Sequence, residues 1–381
     1  MEPREQARQE RQERKAALIA RRAEVAVEKA REKAEREAQE RAEAERLEAE
    51  RRETARVARV AFDAYEQVRS RLQWMPRGSG AVTLTAREEE TAAALAHLWT
   101  ASADTIAQLR RWCEPVGGAR PADYDAPSPE LTVRLKRDHR VLRRQVGTEL
   151  FVPEPQILGA FGVWRDGDFY NEDTIRGFSA LVALQDGAVL DTCRRAPARR
   201  LVWEIGGGWG GFAHQFKTIC PNVTYVITGM PETFLLSAVY LMTLFPNARF
   251  RFYGDAPADE LWAGWESTDF FFVPEGALPG VRLPRLDLVL DLGALRFMDA
   301  PRLALHVRRA YEWGAPYFYS LVPADAPAQM IETLWGGIAR AFWPHPVPPR
   351  GENIPPAGDQ PSAPIPGVEY AHLIGWRRLR A

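Results

Sequence analysis

The chain has 381 residues, 46% of them hydrophobic, and its 50 Lys and Arg nearly balance 51 Asp and Glu for a formal net charge of -1. That much apolar material can bury a core larger than a small domain needs, and near-neutrality removes bulk electrostatic attraction as a reason to expect a nucleic-acid partner. No apolar run reaches transmembrane length and the N-terminal region is charged throughout, so we expect neither a secretory leader nor a membrane span, and a cytoplasmic location.

Residues 1–60 read as one charged, solvated helix. Arg, Lys, Glu and Ala dominate, no glycine interrupts the run, and Pro3 is its only proline. Glu32/Arg36, Glu37/Arg41 and Glu48/Arg52 stand at the i, i+4 spacing that supports an exposed helix. Ala30, Ala34, Ala38 and Ala42 make a small-residue stripe, but a heptad of large apolar residues is missing, which argues against a strong coiled coil. Weak self-association or a partner contact through this helix is the second reading.

Residues 61–198 read as a helical or mixed subdomain. Phe62, Tyr65, Val68 and Leu72 keep helical spacing, as do Leu95, Leu98, Ile106 and Leu109, while Pro76–Gly80 and Pro115–Pro129 interrupt the chain. The three cysteines, Cys113, Cys193 and Cys220, are odd in number and lack metal-type spacing, so they read as reduced, buried thiols.

From residue 199 to 381 strands alternate with helices. Strands are expected at Leu201–Ile205, Thr224–Thr228, Arg249–Tyr253, Leu286–Leu290 and Tyr317–Val322. Helices are expected at Glu232–Leu244, at Pro301–Trp313 behind an Asp299 N-cap, and at Ile331–Phe342. This order predicts an α/β fold, a Rossmann-like sheet that is mostly parallel, with ligands beyond the carboxyl ends of its strands. A proline-rich loop over 344–366 then leads to Tyr370–Leu379, a last antiparallel strand.

The functional signal lies where the strand Leu201–Ile205 runs into five glycines between Gly206 and Gly211 and then into a helix. Gly206-x-Gly208-x-x-Gly211 satisfies the dinucleotide fingerprint, in which a pyrophosphate sits over a helix N-terminus. The same residues read Glu204-x-Gly206-x-Gly208-x-Gly210. A carboxylate two residues before the first glycine repels a pyrophosphate and suits a cationic ligand. S-adenosylmethionine carries an ammonium and a sulfonium and no phosphate, which favours it over NAD. A tight turn that binds nothing is the third possibility.

The blocks Trp164–Thr174, Glu204–Phe216 and Tyr225–Met242, in that order, resemble the sugar O-methyltransferase family of class I S-adenosylmethionine-dependent enzymes. The resemblance spans residues 150 to 381 and implies methyl transfer to a hydroxyl of a sugar or glycan intermediate. It implies a helical cover over the cofactor and places Glu204, Gly206, Gly208 and Gly210 against it. Class I enzymes commonly end their second strand with an acid that holds the ribose hydroxyls, and here that position is Gly229. Glu232, three residues on, can replace it or can simply complement the dipole of its helix. Asp255, after the expected third strand, is a candidate partner for the adenine amino group.

Methyl transfer to a hydroxyl needs alignment and a proton acceptor. Asp291 at the end of the expected fourth strand and His214 in the helix after the glycine loop are the candidate bases, with loop capping and ordinary hydrogen bonding as their plainer roles. Tyr170 and Asn171 are candidate acceptor contacts, with internal packing as the simpler account. No metal triad follows from spacing. Two other classes remain open: an NAD-dependent oxidoreductase using the same loop, and a non-catalytic scaffold with a degenerate methyltransferase domain, suggested by Gly229 and the charged helix.

Overall fold

The computed structural model describes residues 3–75, 84–165, 167–323, 326–347 and 370–378. The chain forms two compact units, Met1–Arg56 and Val57–Ala381. Residues 76–80 and most of the proline-rich stretch, both singled out above, lie outside the described residues, as does Leu379.

The first unit is helical, its residues belonging to the helix Pro3–Leu72. Every described side chain on it is exposed, Leu18 and Leu47 included. With so little apolar burial, the helix rests on propensity and on i, i+4 ion pairs. Of the pairs expected from spacing, Glu48/Arg52 forms. Arg36 instead reaches Glu40, and Glu37 lies by Lys33. Arg36 has carboxylates on both sides along the helix, Glu32 and Glu40, so spacing alone does not choose between them.

In the second unit the same helix changes character: Ala61, Ala64, Tyr65, Val68 and Leu72 recur every three or four residues and are buried. The Tyr65 hydroxyl donates to the Leu98 carbonyl at 2.8 Å and accepts from the Ala101 amide at 3.0 Å. Short helical segments follow, then the longer helix Pro129–Val146. An antiparallel hairpin of β1 (Val163–Arg165) and β2 (Asp168–Tyr170) leads into the helix Glu172–Asp186.

Among the described residues the sheet has eight strands: β3 (Arg200–Ile205), β4 (Val223–Gly229), β5 (Phe250–Phe252), β6 (Phe270–Pro274), β7 (Leu288–Asp291), β8 (Tyr317–Pro323), β9 (Phe342–Pro346) and β10 (Tyr370–Arg377). Their order is β5-β6-β4-β3-β7-β8-β10-β9. All pairings from β5 to β8 are parallel, and β10 runs antiparallel to both its neighbours. The fold is therefore the mostly parallel, Rossmann-like α/β sheet with a reversed strand, carrying a helical region before it. The central strands are buried on both faces and read as continuous apolar runs. Val202, Tyr225 and Leu290 belong to the core that includes the helices Glu172–Asp186, Gly211–Ile219 and Pro231–Leu244. Leu201, Trp203 and Val289 belong to the core built with Ala300–Glu312 and Ala328–Ala339.

Two strands depart from the expected set. Phe270–Pro274 was not anticipated, yet it holds the place beside β4 and pushes β5 to the sheet edge. The run Phe270-Phe-Phe-Val-Pro is fully buried, and burial on both faces removes the alternation by which a strand is usually recognised. β9 carries Pro344 and Pro346, tolerated because among the described residues it is an edge strand paired with β10 alone. The last helix spans Ala328–Ala339, ending before Phe342. Asp299 caps the helix Ala300–Glu312 as expected, accepting from the Arg302 amide at 2.8 Å. No helix among the described residues is long and apolar enough to cross a membrane. Cys113, Cys193 and Cys220 are buried free thiols.

Candidate functional site

The register of the sheet sets Ile205 beside Thr228 on one side and Asp291 on the other. The carboxyl ends of β3, β4 and β7 thus form one edge, and a cleft of ≈ 220 Å³ opens above it. Gly206, Gly208, Thr228, Gly229, Glu275 and Ala294 contribute to its floor. The helix Ala86–Leu95 and the segment Glu114–Gly118 close it from the helical region through Glu88, Thr91 and Val116. A position beyond strand ends is where α/β sheets bind ligands.

The glycine loop requires its glycines. Gly206 has φ +66°, and a Cβ there would lie 2.4 Å from the Ala294 Cβ. Gly210 has φ +88° and precedes the helix Gly211–Ile219; a Cβ on it would press on the Ser237 backbone at 3.1 Å. Gly208 lies between them with φ +51° and lines the cleft.

Glu204 is buried under this loop. Strand alternation turns it to the face occupied by the helix Glu172–Asp186. It borders a small cavity, ≈ 60 Å³, shared with Asp173, Arg176, Gly206, Gly208 and Trp209. The Tyr225 hydroxyl donates to its carboxylate at 3.0 Å. Burial pushes its carboxyl up to about 8, against the pull of Tyr225 and Arg176. A cation at this carboxylate would restore the charge that burial suppresses.

The loop is held by a charged cluster that linear spacing did not reveal. The fully buried Arg110 guanidinium lies 3.7 Å from the Trp209 ring and 4.4 Å from the Phe161 ring. It donates to Glu154 at 2.8 Å and to Asp173 at 2.8 Å. Asp173 also takes a hydrogen bond from Arg176 at 2.9 Å, and Arg176 reaches both the cleft and the Glu204 cavity. The one local hint was a guanidinium at position 176, set in an otherwise buried helical stretch.

Tyr170 and Asn171 belong to this supporting framework. Asn171 caps the helix Glu172–Asp186, accepting from the Thr174 amide at 3.0 Å and donating to Glu154 at 2.5 Å. Tyr170 is buried in a stack with His139, ring centroids 4.4 Å apart. Neither lines the cleft.

The remaining expected residues are dispersed. Asp291 is buried at the end of β7, where it accepts from the Gly293 and Leu295 amides at 3.0 and 3.1 Å and from the Ser320 hydroxyl at 2.8 Å. It thereby shapes the turn that borders the cleft without lining it. Burial raises its carboxyl above the usual range, opposed by these hydrogen bonds. His214 packs against Tyr240 and Phe245, at centroid distances of 6.1 and 5.9 Å, and desolvation lowers its imidazole to about 4. Glu232 is half-buried in the first turn of its helix, where Met230 and Thr233, its neighbours, line the cleft. Asp255 follows the edge strand β5, accepts from the Phe252 amide at 2.9 Å and faces Arg71 at 3.4 Å. The residue that follows the strand beside β4 is instead Glu275, which lines the cleft.

Glu275 is part of a clamp. Arg302 donates to its carboxylate at 2.9 and 2.5 Å and to that of Glu88 at 2.6 and 2.6 Å. The helix Ala86–Leu95 is thus tied to the sheet across the cleft. His306 lies behind, bonded through Nδ1 to the Arg302 carbonyl at 2.9 Å and stacked on Trp203. No group of three or more potential metal ligands occurs among the described residues.

No family model matches the chain, and no curated protein matches it. Among solved structures it is similar to the N-methyltransferase NodS from Bradyrhizobium japonicum WM9 in complex with S-adenosyl-L-homocysteine, at 11% identity and a TM-score of 0.31, covering 51% of this chain and 85% of that one. Human N-acetylserotonin methyltransferase in complex with SAM has 13% identity and a TM-score of 0.32, with 76% and 67% covered. An O-methyltransferase family protein from Burkholderia thailandensis has 17% identity and a TM-score of 0.30, with 66% and 74% covered. Likeness at this level leaves the ligand and the acceptor of this chain to its own residues.

Proposed function

We propose that the cleft binds S-adenosylmethionine and that the protein transfers the methyl group to a hydroxyl of a sugar or glycan intermediate. The observation that carries the cofactor reading is Glu204: a buried carboxylate beneath a glycine loop, its carboxyl pushed up to about 8. An ammonium would supply the missing counter-charge and draw this carboxyl into its ionised form, whereas a pyrophosphate above it would only push it further toward the neutral acid. The cradle at Gly206 and Gly208, where Ala294 leaves no room for a Cβ on Gly206, fits a ligand pressed close to the backbone. When bound, S-adenosylmethionine supplies an electrophilic methyl group on its sulfonium.

The chain's own residues would then bind and orient. Glu204 meets the ammonium. Thr228, Met230 and Thr233 stand where the ribose acid of class I enzymes would be, and Glu275 bounds the same side of the cleft. The helical cover, held by Arg302, excludes water. Asp291 fixes the turn that faces the acceptor, a positioning role. The sugar acceptor rests on the resemblance of the three sequence blocks.

Glu204→Gln tests the cofactor reading, because it keeps the shape and removes the charge. Calorimetry should show S-adenosylhomocysteine binding weakened by roughly 10- to 100-fold, the range for a lost charge-assisted hydrogen bond, with the circular dichroism spectrum unchanged. Parent affinity in the variant would remove Glu204 from the site.

A further inference from the structure

A second, open pocket of ≈ 330 Å³ adjoins the cleft; Leu295, Met298, Leu303, Met330 and Leu334 form its apolar wall, and Gln329 and Thr333 add polar groups. Arg296 and Met298 line both spaces. Arg296 sits in the short turn Leu295–Phe297, the one that Asp291 pins from below.

Its guanidinium has no direct ion-pair partner among the described residues: the carboxylate whose charge it senses, Asp291, spends its oxygens on Gly293, Leu295 and Ser320. Among the described residues Arg296 makes no ion pair or hydrogen bond, and its Nε is buried without an acceptor. Its guanidinium carbon lies 4.5 Å from the Phe297 ring and so near Gly293 that a Cβ there would stand 3.6 Å from it. The other cleft arginines differ: Arg176 is bonded to Asp173 at 2.9 Å, and Arg87 faces Glu90 at 3.8 Å. Desolvation, with Arg176 nearby, disfavours the charged form of Arg296 and outweighs the opposing pull of Asp291 and Tyr370. A partly buried guanidinium without a hydrogen-bond acceptor costs stability, and the charge of Asp291 offsets that cost only in part.

We propose that Arg296 anchors an acidic group on the acceptor, a carboxylate or a phosphate, and that the adjoining Leu- and Met-lined cavity takes the apolar portion of the same molecule. The inference rests on the methyl-transfer reading only in assigning that molecule as the acceptor. Sites of this kind pair an apolar wall with one or two charged groups that fix orientation. The cofactor's own carboxylate is the less suited occupant, because Arg176 already stands beside Glu204 and the glycine loop, while Arg296 opens toward the second cavity. The acceptor class is thereby narrowed to an acidic molecule, whether a hydroxy acid, an acidic glycoside or a phosphorylated sugar.

Calorimetric titration of the full chain tests this, with and without saturating S-adenosylhomocysteine. 4-Hydroxybenzoate and glucose 6-phosphate serve as carboxylate and phosphate probes, 4-hydroxybenzyl alcohol and glucose as their uncharged counterparts. We expect at least one anion to bind about tenfold or more tightly than its counterpart, in line with a charge-assisted hydrogen bond. The anion that does so names the source. Arg296→Met should abolish the preference, keep S-adenosylhomocysteine affinity within about twofold and melt no lower than the parent; Arg296→Lys should retain part of the preference. Four results would overturn the proposal: no anion preference in the parent, an unchanged preference in Arg296→Met, a parallel loss of S-adenosylhomocysteine affinity, or a lower melting temperature showing a structural arginine. If the parent binds no S-adenosylhomocysteine but loses its anion preference in Arg296→Met, the anion site stands and the methyl-transfer reading fails.

Discussion

On the proposed cofactor reading, Glu204 couples ligand binding to protonation. Its carboxyl is near 8 in the folded chain against an ordinary value of 4.5, so between those limits the folded state holds a proton that the unfolded state has released. Stability from this group is therefore present at low pH and is lost as pH rises toward and through 8. Urea midpoints at pH 5.5 and 8.5 should fall further for the parent than for Glu204→Gln, which cannot titrate. An equal fall in both would remove Glu204 as the source. At the same scale His214 and Asp291 show what local sequence could not show. Both sit where a base was expected, but His214 is turned among Tyr240 and Phe245, and Asp291 spends its oxygens on the turn after β7. A residue's place along a strand or helix is legible from sequence; the side chains that surround it are set by distant elements.

The elements that could be read from sequence were those with local signals. The strand β3, the glycine loop and the helix after it follow from apolar run, glycine spacing and helical period within about sixteen residues. Asp299 announced its helix in the same way. Asp255 was placed by counting strands, and counting fails when chain order and sheet order differ. β6 lies between β4 and β5, so the cleft receives Glu275 and the residue after β5 falls at the sheet edge. The support under the loop is equally non-local, since Arg110, Glu154 and Asp173 come from three segments. Removing the cation strands two buried carboxylates and the Trp209 face. Arg110→Leu should cost about 3–5 kcal/mol in urea unfolding, the range for a broken buried pair. A loss below about 1 kcal/mol would mean that the cluster does not hold the loop.

For the whole second unit, Arg302 is the tie between helical cover and sheet. Its guanidinium is stabilised by Glu88 and Glu275, and Glu88 is held below the usual carboxylate range by hydrogen bonds that outweigh its partial burial. Arg302→Ala should loosen the cover: hydrogen exchange over residues 86–95 should accelerate, and release of S-adenosylhomocysteine should quicken by about tenfold. Unchanged exchange there would show that packing alone holds the cover. The α/β architecture with its reversed strand was legible from the order of elements, whereas the clamp joins Glu88 to Arg302 across 214 positions of chain and left no trace in any local pattern.

The central claim is the cofactor. Calorimetric titration of the 381-residue chain with S-adenosylhomocysteine, with NAD as a parallel control, tests it most directly. Saturable binding of S-adenosylhomocysteine, together with no heat from NAD, is the result this account requires. Binding of NAD alone would return the glycine loop to a dinucleotide, and silence from both ligands would contradict a working methyltransferase site.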